Sequence, residues 1–292
     1  MKVAVFTNLY QTSSSKILLS TIKKLNNKGV DVFIDEKSNK KLAGGKYASS
    51  SNHIKPFTQL DKSFNYVICI GGDGTILKAS SYIKNLGIPI IGINAGRLGF
   101  LAKIKAVEID NAINSIINKR YELSERTLIA IFYTKNNKKY KVGSALNEVS
   151  ITRKNTTSLI TIETKLNDAY LNTYWADGLI ISTPTGSTGY SLSCGGPIIM
   201  PESKNLVITP IAPHNLNARP LVIPDSTTIN LKVSGRENEF FVSIDSEITT
   251  LSNEMELSIK KAPYKIKMIQ LEHESFLKTL RDKLLWGKDK RN

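Results

Sequence analysis

A junction between an apolar run and a glycine-rich loop constrains this 292-residue chain more than any other feature. Residues 67–70 are apolar, and residues 71–75 follow them directly as the glycine loop, Gly-Gly-Asp-Gly-Thr. In open α/β sheets, ligands bind just past the carboxyl ends of buried strands. Glycines let a backbone approach a polyphosphate closely. A carboxylate repels phosphate, so we expect Asp73 to hold a metal ion or to accept a proton from a hydroxyl. The loop therefore indicates phosphoryl transfer to an alcohol.

The pattern of apolar residues predicts an α/β N-terminal doubly wound domain plus a mainly β C-terminal domain. In the first part, strands are predicted at 2–7, 30–34, 66–70 and 89–93, with helices at 14–28, after the glycine loop to 84, and at 106–118. Residues 36–52 are predicted to form a mobile loop or lid. After residue 121, short β segments dominate: 128–134, 140–142, 148–152, 158–164, 178–183, 206–211, 227–233, 239–244 and 255–260. A last helix is predicted over 275–285.

The composition and net charge of the chain limit the kinds of molecule that it is expected to bind. The net charge is +15, but the lysines are spread along the chain, which is typical of a solvated surface rather than a nucleic-acid face. A positive field favours polyanionic substrates such as nucleotides. No apolar run approaches the ~20 residues that span a bilayer. We therefore expect neither a nucleic-acid nor a membrane partner. Cys69 and Cys194 form no disulfide framework and no metal-ligand spacing with the histidines, so we expect a protein of the reducing cytoplasm.

Two further segments carry polar groups next to apolar strands. Residues 177–197 run from an apolar strand into a loop dense in hydroxyls and glycines, which offers donors to phosphate oxygens. Such a loop is otherwise a plain Ser/Thr/Gly turn. Asn147 and Glu148 lie between apolar neighbours, and an amide beside a carboxylate suits ribose hydroxyls or an adenine edge. The same pair is equally compatible with a simple turn. The chain has no Walker-type phosphate loop.

Together these segments resemble the NAD kinase family, in its bacterial type, over roughly residues 1–285. The resemblance rests on the glycine loop, residues 94–101, Asn147-Glu148, residues 177–197 and residues 213–222. The glycine loop alone is shared with diacylglycerol and sphingosine kinases and is similar to the phosphofructokinase loop. The hydroxyl-rich segment and the Asn-Glu pair are more specific.

The resemblance implies transfer of the γ-phosphate of ATP to the adenosine 2′-hydroxyl of NAD+, giving NADP+, with Asp73 as proton acceptor. A divalent cation, Mg2+, is expected on the ATP phosphates, without assigned protein ligands. Phosphate and ATP contacts are implied for Gly71, Gly72 and Thr75. Contacts with NAD+ are implied for Asp73, Gly74, Lys78, Asn147, Glu148, Trp175, Asp177, Thr188, Gly189, Tyr190, Ser191, Leu192, Ser193, Ala212, Asp245 and Glu247.

The resemblance also implies a homodimer or homotetramer and a C-terminal helix that packs back on the first domain. The expected domains are 1–122, 123–272 and 273–292. Gly189 and Cys194 replace alanines that are common in bacterial members, and Trp175 stands where some members carry arginine. Ser246 replaces a common glycine or histidine. None of these differences removes a catalytic group.

Two other functions are compatible with part of this sequence. A lipid kinase of the diacylglycerol or sphingosine type shares the glycine loop and suits the basic charge. It leaves the Asn147-Glu148 pair unexplained, and the chain has no amphipathic basic helix. A non-catalytic NAD(H)-binding regulator that contacts nucleic acid suits the charge, but the intact Asp73 argues against lost catalysis.

Overall fold

The computed structural model describes residues 1–7, 12–43, 54–155, 158–272 and 274–286. These residues form two compact units. Unit 1 comprises residues 1–125 and 266–292, and unit 2 comprises residues 126–265. The expected limits of 1–122, 123–272 and 273–292 stay a prediction. None of the helices in the described ranges is long and apolar enough to cross a membrane.

Unit 1 contains a parallel sheet with the order β17-β5-β4-β1-β2-β3. Its strands are β1 (Lys2–Thr7), β2 (Asp31–Asp35), β3 (Lys55–Phe57), β4 (Tyr66–Gly71), β5 (Ile90–Asn94) and the end of β17 (Glu256–Gln270). The sequence order reverses between β1 and β4. Reversals of this kind are where open α/β sheets bind ligands, outside the carboxyl ends of their strands.

Helices cover both faces of this sheet, as a doubly wound fold requires. They are α1 (Thr12–Asn26), α2 (Glu36–Ala43), α3 (Asp73–Ile83), α4 (Ile109–Ile117) and α6 (Phe276–Leu284). Val3 and Val5 belong to one core with apolar residues of α1 and α4. The alternate residue Phe6 packs its ring against Tyr82 of α3 at 5.1 Å. Because neighbouring residues of a strand point to opposite faces, β1 is buried on both sides.

Unit 2 is built from two antiparallel sheets that share one apolar core. The first has the order β10-β9-β14-β17, with β6 beside β17 and β7 beside β6, and the second has the order β13-β12-β11-β8-β15-β16. The bounds are β6 (Glu122–Lys135), β7 (Lys138–Ala145), β8 (Glu148–Arg153), β9 (Ile160–Leu166), β10 (Ala169–Ala176), β11 (Gly178–Ser182), β12 (Asn205–Ile211), β13 (Leu221–Pro224), β14 (Ile229–Ser234), β15 (Glu239–Ile244) and β16 (Glu247–Ser252). A four-residue helix, α5 (Tyr190–Ser193), follows β11.

The C-terminal helix α6 packs on unit 1, as the family resemblance implied. Its residue Phe276 contacts the ring of Phe100 at 6.3 Å between centroids. The side chain of Ser275 accepts a hydrogen bond from the Lys278 N–H and so caps the helix. Leu280 is buried. The predicted fold class is therefore confirmed.

One prediction about the first unit was wrong. Residues 36–43 form helix α2 rather than a loop. The polar sequence hides the helix, but Leu42 is buried and Glu36 pairs with Lys40 at 2.9 Å. The helix is supported by this i,i+4 pair and by two buried residues, Leu42 and Ser38, while most of its other residues face water. The remainder of the predicted loop, residues 44–52, lies outside the described residues.

The β segments of unit 2 were only partly predicted. Strands β10, β13 and β16 were missed, as was the short β3 of unit 1. Residues 255–260 proved to be the start of a 15-residue strand, β17. Edge strands such as β10 and β16 expose much of their side-chain surface and lack the apolar alternation that marks a strand in sequence.

Candidate active site

The glycine loop joins the end of β4 to the start of α3, as the sequence indicated. A Cβ added at Gly71 would collide with the hydroxyl of Thr75, whose side chain is buried beneath the loop. Added Cβ atoms at Gly72 and Gly74 would meet open space. The loop is therefore closed on its inner side and open on its outer side. Its outer side leads into the N-terminus of α3, where free N–H groups favour anions.

Asp73 holds a second turn in place. Its Oδ2 accepts a hydrogen bond from the Phe100 N–H at 2.8 Å, and its Oδ1 accepts bonds from the Leu101 and Ala102 N–H groups at 3.0 and 2.9 Å. A Cβ at Gly99 would collide with this carboxylate. A carboxylate has about four lone-pair sites, so acceptor capacity remains after these three bonds. The sequence did not indicate this anchoring role.

Lys78 lies on α3 with its ammonium group paired to Asp35. The distance from Lys78 Nζ to Asp35 Oδ1 is 3.0 Å, and the Lys78 side chain is 37% exposed against 4% for Asp35. The Lys78 charge is thus held at the end of β2 in this structure. Asp35 was not among the residues singled out in the sequence.

Asn147 and Glu148 form a turn whose backbone is bound by Asp245. The Asp245 carboxylate accepts hydrogen bonds from the N–H groups of Leu146, Asn147 and Glu148 at 2.9, 2.8 and 3.2 Å. The Asp245 N–H donates to the Glu148 carbonyl at 3.0 Å. Asp245 has a φ of 51°, a left-handed conformation that aspartate tolerates better than most residues. In this structure Asp245 therefore orders the Asn-Glu turn.

The Glu148 carboxyl lies in an apolar and negatively charged environment. Burial and the nearby Asp245 raise the pKa of Glu148 to about 7, against the opposing effect of a hydrogen bond from the Tyr190 N–H. Burial also raises the pKa of Asp245. Glu148 Oε2 and Asn147 Oδ1 are buried without a hydrogen-bond partner. Two unpartnered acceptors side by side suit a ligand that donates hydrogen bonds, such as a ribose diol or an amine.

The hydroxyl-rich segment divides into a structural part and an exposed part. Thr183 Oγ1 donates to the Leu146 carbonyl at 2.6 Å, and Ser187 Oγ donates to the Pro184 carbonyl at 2.7 Å. A Cβ at Gly186 would collide with the Asn147 backbone. Thr183 therefore binds the segment to the Asn-Glu turn, and Ser187 stabilises the segment internally, so neither hydroxyl faces a ligand.

The exposed part is the outer face of the run from Thr188 to Ser193, which contains α5 and exposes Tyr190 and Ser193. An added Cβ at Gly189 would lie 2.9 Å from Glu148 Oε2, so this glycine keeps the space beside the carboxylate open. Tyr190 is 43% exposed, while Leu192 is partly buried and Ser193 exposed. Ser191 is fully buried and shares a hydrogen bond with Thr209 at 2.8 Å, so its hydroxyl points inward.

Asp177 is fixed by an arginine that the sequence did not single out. Arg153 Nε and Nη2 lie 3.1 and 3.2 Å from the two Asp177 oxygens, which is a bidentate pair. Burial raises the pKa of Tyr190, with smaller contributions from Cys194 and from the Asp177 charge.

Trp175 and Ala212 lie near the ends of β10 and β12. The Trp175 ring contacts the His214 ring at 5.0 Å between centroids, and Trp175 remains 54% exposed. Ala212 is exposed and has a φ of 42°. Glu247 is exposed at the start of β16, where its charge raises the pKa of Asp245. Within the described ranges, no group of three or more His, Cys, Asp or Glu side chains is arranged to hold a metal ion.

Comparison with known proteins agrees with this architecture. A family model described as the ATP-NAD kinase N-terminal domain matches residues 3–121, and one described as the ATP-NAD kinase C-terminal domain matches residues 146–271. An NAD kinase of Flavobacterium psychrophilum is 55% identical, with 100% of each chain covered.

Two solved structures share the fold at 22% identity. A yeast NADH kinase complexed with NADH superimposes with a TM-score of 0.88, covering 99% of this chain and 88% of that one. An NAD kinase from Archaeoglobus fulgidus in complex with ATP superimposes with a TM-score of 0.74, covering 98% and 99%. The fold and the matched domains place the chain among the two-domain nucleotide kinases. Within that class, the chain belongs to the NAD kinase family.

Proposed function

We propose that this chain transfers the γ-phosphate of ATP to the adenosine 2′-hydroxyl of NAD+, giving NADP+. Membership of the NAD kinase family supports the reaction. The observation that carries the proposal is Asp73, a carboxylate at the start of a helix directly after an open glycine loop. In phosphoryl transfer through a loose transition state, positioning and charge neutralisation matter more than a strong base.

Asp73 serves as the proton acceptor. Its three backbone hydrogen bonds fix the carboxylate, and the remaining lone pair accepts the hydrogen bond of the 2′-hydroxyl and then its proton. Gly71, Gly72, Gly74 and Thr75 form the phosphate path. The open outer side of Gly72 and Gly74 supports this role, because a phosphate requires close approach of the backbone.

The adenosine part of NAD+ binds at the Asn147-Glu148 turn. The unpartnered oxygens of these two residues support this assignment, because they accept hydrogen bonds from ribose hydroxyls or an adenine amine. The remaining contacts come from Trp175, Asp177, Ala212, Glu247 and the accessible residues of the run from Thr188 to Ser193. Ser191 is fully buried and supports this run from the inner side. Asp245 acts on NAD+ through the turn that it holds. Lys78 acts on phosphate only if its ammonium leaves Asp35.

A divalent cation, Mg2+, enters with ATP and neutralises the charge of its phosphates. The protein acts as a homodimer or homotetramer in the cytoplasm. The cation and the oligomeric state rest on the family resemblance, and the cytoplasmic location rests on the absence of a disulfide framework.

The test is substrate selectivity. Purified protein is incubated with ATP, Mg2+ and either NAD+ or vesicles that contain diacylglycerol or sphingosine. We expect NADP+, detected with a strictly NADP-dependent dehydrogenase, and no labelled lipid. Lipid phosphorylation without NADP+ would reject the proposal, and so would folded protein that modifies neither substrate.

A further inference from the structure

A cluster of polar side chains at the ends of β1 and β2 is not explained by the contacts described so far. The strand-end cluster comprises Thr7, Asp35, Ser38 and Lys78, all in unit 1. Asp35 Oδ1 accepts hydrogen bonds from Lys78 Nζ at 3.0 Å and from the Ser38 N–H at 3.4 Å. Ser38 Oγ donates to the Thr7 carbonyl at 3.2 Å. Asp35 thus caps helix α2 and has Lys78 as its counter-ion.

The hydrogen bond to the Ser38 N–H and the ion pair with Lys78 involve only one oxygen of Asp35, Oδ1. Asp35 Oδ2 and Thr7 Oγ1 are both buried without a hydrogen-bond partner. The Asp35 side chain is 4% exposed and Thr7 is 5% exposed. Buried oxygens without partners are rare because they lose their bonds to water and gain nothing in return. Two of them on adjacent strands indicate a place for a ligand.

The hydrogen-bonding groups and the charge of the cluster indicate which kind of ligand it can bind. A carboxylate only accepts hydrogen bonds, while a threonine hydroxyl accepts and donates. The Lys78 ammonium already neutralises Asp35, so a second cation is disfavoured. A neutral hydroxyl group satisfies both oxygens without adding charge.

The place of the cluster in the fold narrows the ligand further. The reversal of strand order lies between β1 and β4, and Thr7 and Asp35 end β1 and β2 on one side of it. In dinucleotide-binding folds of this order, an acidic residue beyond the second strand binds ribose hydroxyls while phosphate lies at a glycine turn after the first strand. Here the glycine loop follows β4, which lies next to β1 in the sheet, so the correspondence concerns the acidic residue and not the position of the loop. Lys78 is five residues along α3 from Asp73, about 7.5 Å of helix rise. Its flexible and partly exposed side chain can move to admit a ligand.

We propose that the strand-end cluster binds a ribose hydroxyl of the nucleotide that donates the phosphate, with Asp35 Oδ2 as acceptor and Thr7 Oγ1 as its neighbour. This assignment rests on the proposed function, because it presumes a nucleoside triphosphate whose phosphates lie at the glycine loop. Asp35 is then a substrate-binding residue as well as a helix cap.

The test compares ATP with 2′-deoxy-ATP and 3′-deoxy-ATP. Binding of each is measured calorimetrically with Mg2+ and without NAD+, so the result does not depend on NADP+ formation. The wild type should bind ATP at least about tenfold more tightly than one of the deoxy analogues, as expected for a hydrogen bond to a charged group. Asp35→Ser keeps a capping oxygen but is too short to reach the ligand. It should weaken ATP binding about tenfold and remove the discrimination.

Two further variants separate binding from folding. Thr7→Val preserves shape without the hydroxyl and should weaken ATP binding several-fold, even if Asp35→Ser proves unstable. Glu36→Gln removes the adjacent carboxylate, which pairs with Lys40 outside the cluster, and should change nothing. In turnover assays, the KM for ATP should rise in the Asp35 and Thr7 variants and the KM for NAD+ should not.

Three results would overturn the assignment. They are equal binding of ATP and both deoxy analogues by the wild type, unchanged discrimination in Asp35→Ser and Thr7→Val, and an effect on NAD+ alone. Ribose discrimination by a protein that makes no NADP+ would leave the cluster assigned while rejecting the proposed function. Formation of NADP+ by a protein that binds ATP and both deoxy analogues equally well would reject the assignment of the cluster and leave the proposed function standing.

Discussion

The Asp245 carboxylate accepts a hydrogen bond from the main-chain N–H of Asn147 at 2.8 Å, across 98 residues of sequence. The same carboxylate binds the N–H groups of Leu146 and Glu148. One side chain of the β15–β16 turn thus fixes the backbone of the segment proposed to bind NAD+. The carboxylate meets three backbone donors of one short segment and so ties that segment to the β15–β16 turn.

Replacing Asp245 should therefore destabilise the fold. In Asp245→Asn an amide NH2 takes the place of one acceptor oxygen, and at least one backbone N–H is left facing a donor. We expect the free energy of unfolding to fall by about 1–3 kcal/mol, measured by urea titration. Glu247→Gln removes an exposed carboxylate two residues away and should cost far less. Equal losses in the two variants would contradict this account.

Replacing Gly99 or Gly74, two glycines near Asp73, by alanine should have different effects on stability. In Gly99→Ala the new methyl group collides with the Asp73 carboxylate, so both stability and the rate of NADP+ formation should fall. In Gly74→Ala the methyl group enters open space within a helix, and stability should hold or rise by up to about 1 kcal/mol. If phosphate approaches this backbone, the KM for ATP should nevertheless rise. Thermal unfolding and initial rates measured on both variants separate the two effects.

The pH dependence of stability should carry a contribution from Glu148. Its pKa is about 7 in the folded protein against an ordinary value of 4.5. The stability that protonated Glu148 provides is complete below about pH 4.5 and is lost as pH rises through about 7. The glutamine in Glu148→Gln cannot ionise. The difference in free energy of unfolding between this variant and the wild type should therefore shift by about 2–3 kcal/mol in favour of the variant as pH rises from about 4.5 to 8. Parallel stability curves for the two proteins would show that the Glu148 pKa is not raised.

The substitution Gly189→Ala tests whether the space beside the Glu148 carboxylate is needed for NAD+ binding. The sequence alone suggests little effect of the alanine found in bacterial relatives. In this structure the added methyl group would lie 2.9 Å from the end of a flexible side chain, so the fold should lose less than about 1 kcal/mol. The Glu148 carboxyl should turn away, and the KM for NAD+ should change several-fold. In the Glu148→Ala background the same substitution should have no further effect on KM, which a double-mutant cycle measures.

The sequence predicted those parts of the site that depend on local chemistry. The glycine loop follows β4 and opens α3 because an apolar run and its terminating glycines are contiguous in the chain. The Asn147-Glu148 pair and the exposed run at Tyr190 were also predicted from adjacent residues. Their assignment as ligand contacts stays a prediction.

Contacts between distant segments were not predictable in this way. Asp245 reaches Asn147 across 98 residues, and Asp73 reaches Ala102 across 29. Arg153 pairs with Asp177 from a neighbouring strand, since Gly178 lies opposite Thr152. In each case the partner is set by strand pairing or chain return, which a single sequence does not display. Helix α2 was missed for a related reason, because its stability depends on the tertiary burial of Leu42.

The most direct test of the central claim is the rate of NADP+ formation by the wild type and by Asp73→Asn, with saturating ATP, Mg2+ and NAD+. The asparagine retains the side-chain shape but cannot take a proton. Its NH2 group also faces at least one of the three backbone N–H groups that the carboxylate binds, so the free energy of unfolding is measured on the same variant. We predict a fall in kcat of about 10²-fold or more, in protein that circular dichroism shows to be folded and calorimetry shows to bind NAD+. A variant that turns over within a few-fold of the wild type would contradict the role of Asp73. Folded wild type that forms no NADP+ would contradict the proposed reaction itself.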